Sequence, residues 1–165
     1  LFGPSRTMSL GGNYYGLVTV DDFSRFTWTL FLKSKRDAFN AFRKLAKLAQ
    51  NEKGCKIISI INDHGGGFQN EHFEKFCEEN GINHNFSAPR TPQQNGVMER
   101  KNRSLEEGAR TLLDETNLPK YFWADVVSTV CYTLNRLLIR PILKKSPYEL
   151  YKGRKPNISH LKAFG

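Results

Sequence analysis

The sequence is poor in cysteine and has no long apolar run. Its three cysteines, Cys55, Cys77 and Cys131, lie far apart and follow no C-x-x-C spacing, so neither a disulfide framework nor a cysteine zinc site is predicted. The four histidines also lack the spacing of metal ligands. Gly3 and Pro4 interrupt the first residues, "LFGPSRTMSL", which excludes a signal peptide there, and no segment approaches membrane-spanning length. We therefore expect a soluble, intracellular protein.

Acidic residues are scarce relative to basic ones. The chain has 16 aspartates and glutamates and 25 lysines and arginines, which gives a net charge of +9 and a pI near 9.6. This excess favours a polyanionic partner such as nucleic acid, and a merely solubilising surface is the alternative. From Arg136 onward, eight basic residues face Glu149 alone, so this tail supplies +7 of the +9.

The length of 165 residues and the apolar content of 39% suit one well-packed domain. The chain starts at Leu1 rather than at a methionine, so we expect it to be part of a longer protein. Residues 1–140 are interpreted as the core and residues 141–165 as a basic C-terminal extension.

Several segments have the composition of β-strands. Residues 14–20 and 25–32 are rich in β-branched and aromatic side chains and predict two antiparallel strands. A further strand before Gly11 would complete a three-stranded meander. Residues 56–62, "KIISIIN", predict a strand buried on both faces, and "INHNFSA" at 82–88 predicts a short one. The expected fold is α/β, with a mixed five-stranded sheet of three antiparallel strands and then parallel strands.

The remaining chain predicts helices packed on this sheet. A capping box at Ser34 and Asp37 introduces the first of them, and the segment "PRTPQQNG" at 89–96 is interpreted as a loop before the longest. The helices are expected at residues 35–53, from Asn70 to Gly81, from about Asn95 or Val97 onward, at 121–139 and, as a short one, in "SPYELY". The longest helix has an apolar stripe of Met98, Leu105, Ala109 and Leu112, opposite a polar face of Glu99, Asn102, Arg103, Glu106 and Arg110.

Two carboxylates occupy positions typical of a ligand site. Asp63 ends the apolar run "ISIIN" directly before His64 and three glycines, and open α/β sheets present ligand groups at the carboxyl ends of their strands. Glu99 lies near the start of the long helix. If the two meet, a hard divalent cation would relieve their repulsion. The alternative is that Asp63 caps a turn and Glu99 simply favours a helix N-terminus; spacing alone leaves both open.

The stretches "VDDFSRFTW", "NDHGGGF" and "SAPRTPQQNGVMERKNRSL" resemble the catalytic core of copia-type LTR retrotransposon integrases, within the retroviral integrase superfamily and its Asp, Asp, Glu triad. The resemblance covers essentially the whole chain. Between Asp63 and Glu99 lie 99 − 63 − 1 = 35 residues, the separation that this superfamily keeps between its second and third acids.

This resemblance implies an RNase H-like fold and a polynucleotidyl transferase that uses two Mg²⁺ or Mn²⁺ ions for DNA 3′-end processing and strand transfer. Asp63 and Glu99 would be the catalytic and metal-binding residues. The partners would be element ends and target DNA, the full-length protein a homo-oligomer, and the place of action the nucleus, although no targeting signal is identified. The resemblance also predicts a set of DNA-binding residues: Arg90, Gln94, Asn95, Gly96, Lys101, Asn102 and Arg103.

Departures from the family pattern bear on activity. The triad's first Asp normally precedes "LFGP", so we expect it before Leu1 and expect this chain alone to be inactive. Asp21 and Asp22 belong to a strand-end motif and are not expected to replace it, although the hairpin register could bring one near. Gly67 replaces a usual Glu, and Gly108 replaces a bulky apolar residue at a cost of about 1 kcal/mol in a helix. The alternative function is that of a decayed, noncatalytic nucleic-acid-binding remnant. An RNase H-type nuclease would not explain the long match.

Overall fold

The computed structural model describes residues 1–62, 71–86 and 92–161. Strands and helices alternate in it, as expected for an α/β protein. The elements are β1 (Tyr15–Val20), β2 (Thr27–Leu32), α1 (Ala38–Lys53), β3 (Ser59–Asn62), α2 (Glu71–Asn80), β4 (Asn83–Phe86), α3 (Pro92–Thr116), α4 (Trp123–Leu137) and α5 (Pro147–Lys152), with 3-10 turns at Lys35–Asp37 and Lys120–Phe122. No helix among the described residues is both long enough and apolar enough to cross a membrane.

The strands form two small sheets. β1 and β2 pair antiparallel and β3 and β4 pair parallel. Four of the five predicted strands are therefore confirmed, whereas the predicted five-stranded sheet is not found in the described residues. The predicted strand before Gly11 is also wrong. There, the Ser9 hydroxyl accepts a hydrogen bond from the Asn13 amide at 3.0 Å and closes a turn. Phe2 forms an isolated antiparallel bridge to Gly16, and the Ser5 amide donates to the Tyr14 carbonyl at 2.7 Å.

Strand β3 is not buried on both faces, as its apolar run had predicted. Its residues alternate between exposed and half-buried, and Ile61 is 48% exposed. Ile60 points the other way and packs against a core that α1 and α2 share with the β1–β2 hairpin. Because successive side chains of a strand point to opposite faces, one covered face yields this alternation. The composition of a strand therefore did not reveal that only one face is covered.

The first core lies between α1, α2 and the strands. The Ser34–Asp37 capping box is present at the start of the first helical segment, and Gly54 ends α1 with a φ of 63°, so the predicted helix at 35–53 is confirmed. The buried side chains of this core are Leu17, Leu32, Ala38, Phe42, Ala46, Phe73, Phe76, Cys77 and Ile82.

The second core joins α3 and α4 to the hairpin. Its buried residues are Val18, Leu105, Ala109, Trp123, Ala124, Val126, Val127, Val130 and Cys131, with Met98 and Leu112 packed against them. The predicted apolar stripe of the long helix is therefore confirmed. A hydrogen bond of 2.9 Å from the indole N–H of Trp123 to the carbonyl of Thr7 connects the N-terminal segment to this core.

Gly108 lies where α3 crosses α4. A Cβ atom at this position would come within 2.8 Å of Cγ1 of Val130, which is buried and, as a β-branched helical residue, stiff about χ1. The glycine thus permits a close approach of the two helices, a role that its helix-propensity cost does not reveal.

Gly108→Ala is expected to destabilise the protein by about 1–2 kcal/mol, because overpacking outweighs the helix-propensity gain of about 1 kcal/mol. Urea unfolding measures the change. Val130→Ala removes the obstructing methyl groups, so adding Gly108→Ala to Val130→Ala should cost nothing further. Higher stability of Gly108→Ala in the parental background would contradict the close approach.

Helix α5 is the last element of the described chain and packs against α4 and the hairpin. Ser146 and Glu149 form a capping box at its start, which confirms the predicted short helix. Tyr151 of α5 stacks on Phe26 with ring centroids 4.7 Å apart and meets Trp28 edge-on at 5.0 Å. Burial, followed by the charge of Glu52, raises the pKa of the Tyr151 hydroxyl to about 12, so this ring stays neutral at physiological pH.

Candidate active site at the end of strand β3 and the start of helix α3

The carboxyl ends of β3 and β4 meet at one edge. In the parallel register Asn62 pairs with Phe86, the last residue of β4. Asn62 is fixed further by His84, whose Nε2 lies 2.8 Å from the Asn62 Oδ1. Burial lowers the pKa of His84, although Glu74 opposes this, so the imidazole is neutral and its Nε2–H can donate this bond. Asp63 follows Asn62 directly but lies outside the described residues, as does Gly67.

Helix α3 begins earlier than the sequence predicted. It starts at Pro92, since proline suits the first helical position, where its missing N–H has no intrahelical partner. The backbone of Gln94, Asn95 and Gly96 is thus helical, and the prediction of a loop here is wrong for residues 92–96. The side chains of Gln94 and Asn95 lie outside the described part, and so does Arg90.

Glu99 is exposed on the third turn of α3. Within the described residues its carboxylate has neither a hydrogen bond nor an ion pair. Arg103 lies four residues further along, also exposed, and this spacing places it on the same helix face. Asn102 is half-buried, and its Oδ1 is shielded from solvent without a donor among the described groups.

Lys101 points into the protein rather than toward a ligand. Only 8% of it is exposed, and its Nζ has no hydrogen-bond partner among the described residues. Burial lowers its pKa; Cys131 partly opposes the shift and Arg25 adds to it. The structure therefore contradicts the expectation that Lys101 is available for DNA contact, because rotation about α3 places this residue in the α3–α4 interface.

The two aspartates after β1 are used within their own turn. Asp21 Oδ2 accepts hydrogen bonds from the Ser24 amide at 2.8 Å and from its hydroxyl at 2.5 Å. Asp22 pairs with Arg25. This agrees with their interpretation as a strand-end motif. The described chain contains no group of three or more His, Cys, Asp or Glu side chains that could hold a metal ion.

Sequence reasoning missed a cluster around Arg136. The guanidinium of Arg136 lies over the ring of Tyr132 and near that of Tyr148, while His160 hydrogen-bonds to the Tyr132 hydroxyl. The spacing of four residues between Tyr132 and Arg136 was a visible signal. The approach of Tyr148 and His160 depends on how α5 packs, which no local pattern contains.

The fold is that of retroviral integrase catalytic cores. A structure of the HTLV-2 integrase catalytic core domain in complex with magnesium, in a trimeric form, superposes with a TM-score of 0.60 at 24% identity, covering 82% of this chain and 93% of that one. A chain of the simian T-cell lymphotropic virus intasome superposes with a TM-score of 0.64 at 22% identity, covering 90% of this chain and 57% of that one. At such identities these likenesses concern the fold alone.

The chain belongs to the integrase core domain family, which it matches over residues 4–92. It is 39% identical over 163 residues, or 99% of its length, to the retrovirus-related Pol polyprotein from transposon TNT 1-94 of Nicotiana tabacum. It is 34% identical over 161 residues, or 98% of its length, to that from transposon RE2 of Arabidopsis thaliana. It spans only 12% and 11% of these polyproteins. The resemblance to retrotransposon integrases is thereby confirmed.

Proposed function

We propose that this chain is the catalytic core of a retrotransposon integrase and performs metal-dependent 3′-end processing and strand transfer on DNA. The observation that carries the proposal is the exposed carboxylate of Glu99 on α3, which has no hydrogen bond or ion pair with any described residue. Asp63 follows Asn62, which ends β3 beside the last residue of β4. A structural acid would be held by a neighbouring donor, as Asp21 is held by Ser24.

The donor chemistry fits hard divalent ions. Carboxylate oxygens are the protein ligands that Mg²⁺ prefers, and Glu99 has no competing partner in the described chain. Asp63 and Glu99 would hold two Mg²⁺ or Mn²⁺ ions together with one further carboxylate. The bound ions supply activation of the attacking oxygen and stabilisation of the leaving oxygen.

Residues around Glu99 would position the DNA end. Arg103, exposed on the same face, offers a guanidinium that can take two phosphate oxygens. Asn102 and the residues from Gln94 to Gly96 would approach the same end from the first turns of α3. The full-length protein would act as a homo-oligomer.

The third carboxylate is proposed to precede Leu1. Phe2 pairs antiparallel with Gly16, so a continued register would place the residue before Leu1 opposite Val18 on β1. An Asp at that position would lie on a strand next to the hairpin. Reading the codon directly upstream of Leu1 tests this point, and any residue other than Asp would refute it.

A noncatalytic, DNA-binding remnant is the second candidate. The observation that favours it is Lys101, a buried amine without a described partner in the helix that carries Glu99. Such a residue is costly in a core, and a chain that no longer catalyses could carry this cost.

The deciding experiment uses a protein extended upstream of Leu1 and a labelled duplex that carries an element end. An integrase core should join this duplex to target DNA when Mg²⁺ or Mn²⁺ is present and should stop when EDTA is added. Asp22→Asn is the control, because Asp22 is exposed and only pairs with Arg25 within its turn. An extended protein that binds the duplex but never joins it would identify the remnant.

A further inference from the structure

A cluster of cationic and aromatic side chains lies where α4 meets α5. Its members, which we call the α4–α5 surface, are Tyr132, Arg136, Tyr148, Arg154 and His160. The Arg136 Cζ lies 3.3 Å from the Tyr132 ring centroid and 4.6 Å from that of Tyr148. The Arg154 Cζ lies 5.9 Å from the Tyr148 centroid, and His160 Nε2 lies 2.7 Å from the Tyr132 hydroxyl.

Arg136 is held in place before any ligand arrives. Its Nη1 donates to the Tyr132 carbonyl at 3.2 Å, and the Tyr148 ring beside it is only 7% exposed. Planar guanidinium groups stack well on aromatic rings. Because the Arg136 side chain is already ordered, less of its conformational entropy is lost when a ligand binds.

The surrounding charge is strongly positive. Residues 136–161 contain seven basic side chains and one acid, Glu149. Glu149 accepts a hydrogen bond from the Ser146 amide at 2.9 Å within its capping box, and Lys152 pairs with Glu52. In the part of the chain that the structure describes, neither Arg136 nor Arg154 has an ion pair. The ordered guanidinium of Arg136 and the exposed one of Arg154 thus have no carboxylate partner among the described residues.

We propose that the α4–α5 surface binds the phosphate backbone of duplex DNA, with Arg136 as its central phosphate contact. This proposal rests on the proposed integrase function in one respect only, namely the choice of DNA as the ligand. A guanidinium can donate two hydrogen bonds to one phosphate, and an ordered Arg136 would present these donors in a fixed orientation.

The aromatic rings argue against a platform for single strands. Such platforms stack unpaired bases on open ring faces. Here Arg136 covers one face of Tyr132, and Tyr148 is buried. The rings therefore hold the guanidinium, and the binding energy comes from charge. Backbone contacts of this kind are sequence-independent and depend strongly on salt.

Fluorescence anisotropy with a short labelled DNA duplex of arbitrary sequence, in EDTA and over a range of salt concentrations, tests the proposal. Arg136→Gln should bind about ten-fold more weakly and lower the slope of log affinity against log salt by about 0.9, the value of one phosphate. Arg136→Lys should keep the slope while losing affinity, because it retains the charge but not the planar stack.

The matched control is Lys47→Gln, which removes one exposed positive charge from α1 and should leave affinity and slope unchanged. Thermal unfolding establishes that each variant is folded. Because EDTA prevents metal-dependent chemistry, a lack of joining activity does not affect this readout, so the two proposals fail separately. Unchanged duplex affinity in Arg136→Gln would overturn the inference, as would tighter binding of RNA or single-stranded DNA than of the duplex.

Discussion

Glu99→Gln is expected to abolish DNA strand transfer in a protein that carries the residues upstream of Leu1. The substitution keeps the size of the side chain and removes its charge, so we expect the backbone of α3 to keep its conformation. A bound divalent ion contributes several kcal/mol to the stabilisation of transition-state charge, and each 1.4 kcal/mol corresponds to a factor of ten. The expected loss is therefore about 1,000-fold or more, measured as joined product per unit time.

DNA binding by Glu99→Gln should remain close to parental, since the phosphate contacts come from basic side chains. Glu115→Gln is the matched control: it is exposed at the far end of the same helix and loses the same charge. If Glu99→Gln joined DNA at the parental rate, the assignment of Glu99 as a metal ligand would be wrong, even if the protein is an integrase.

Local sequence signals, such as helix capping boxes and strand-forming composition, correctly predicted several helices and strands. The Ser34–Asp37 and Ser146–Glu149 capping boxes lie at helix starts, although only the first was recognised as a box. The β-branched and aromatic residues of the hairpin predicted β1 and β2. Such signals are contained within a few neighbouring residues, so no knowledge of tertiary packing was needed.

The misinterpreted positions all depend on partners distant in sequence. At Gly108 the sequence shows only a helix-propensity cost, because nothing nearby in the sequence shows that Val130 approaches it. The apolar run of β3 predicts a buried Ile61, because composition does not reveal which sheet face is covered. The family resemblance places Lys101 at the DNA, and it does not show that α4 packs over this residue. In each case, the packing of one element against another decided the outcome.

For the site, the motif spacing predicted the two carboxylates and the helix that carries one of them. The structure adds the exposed environment of Glu99 and the bond from His84 to Asn62 ahead of Asp63. The Arg136 cluster could not be predicted, because Tyr148 and His160 reach it only once α5 has packed on α4.

Lys101→Met is expected to stabilise the protein. The lysine methylenes already occupy an apolar interface, and methionine fills a similar volume without a polar end. Leaving a buried polar group without a hydrogen bond costs about 1–3 kcal/mol, and this is the gain that urea unfolding at neutral pH should show. Arg110→Met is the control: it removes one positive charge from an exposed position of the same helix and should change stability little.

The stabilisation by Lys101→Met should shrink as pH rises. Burial lowers the pKa of Lys101 below its ordinary 10.5, so the unfolded chain binds a proton that the native chain has released when the pH lies between these two values. Stability increases with pH wherever the unfolded state binds more protons. The free energy of unfolding of the parental protein therefore rises relative to that of Lys101→Met across this pH window, and not below it. A constant difference from neutral pH to pH 10 would show that the amine is not desolvated. A loss of stability on replacement would mean that the ammonium has a partner contributed from beyond the described residues.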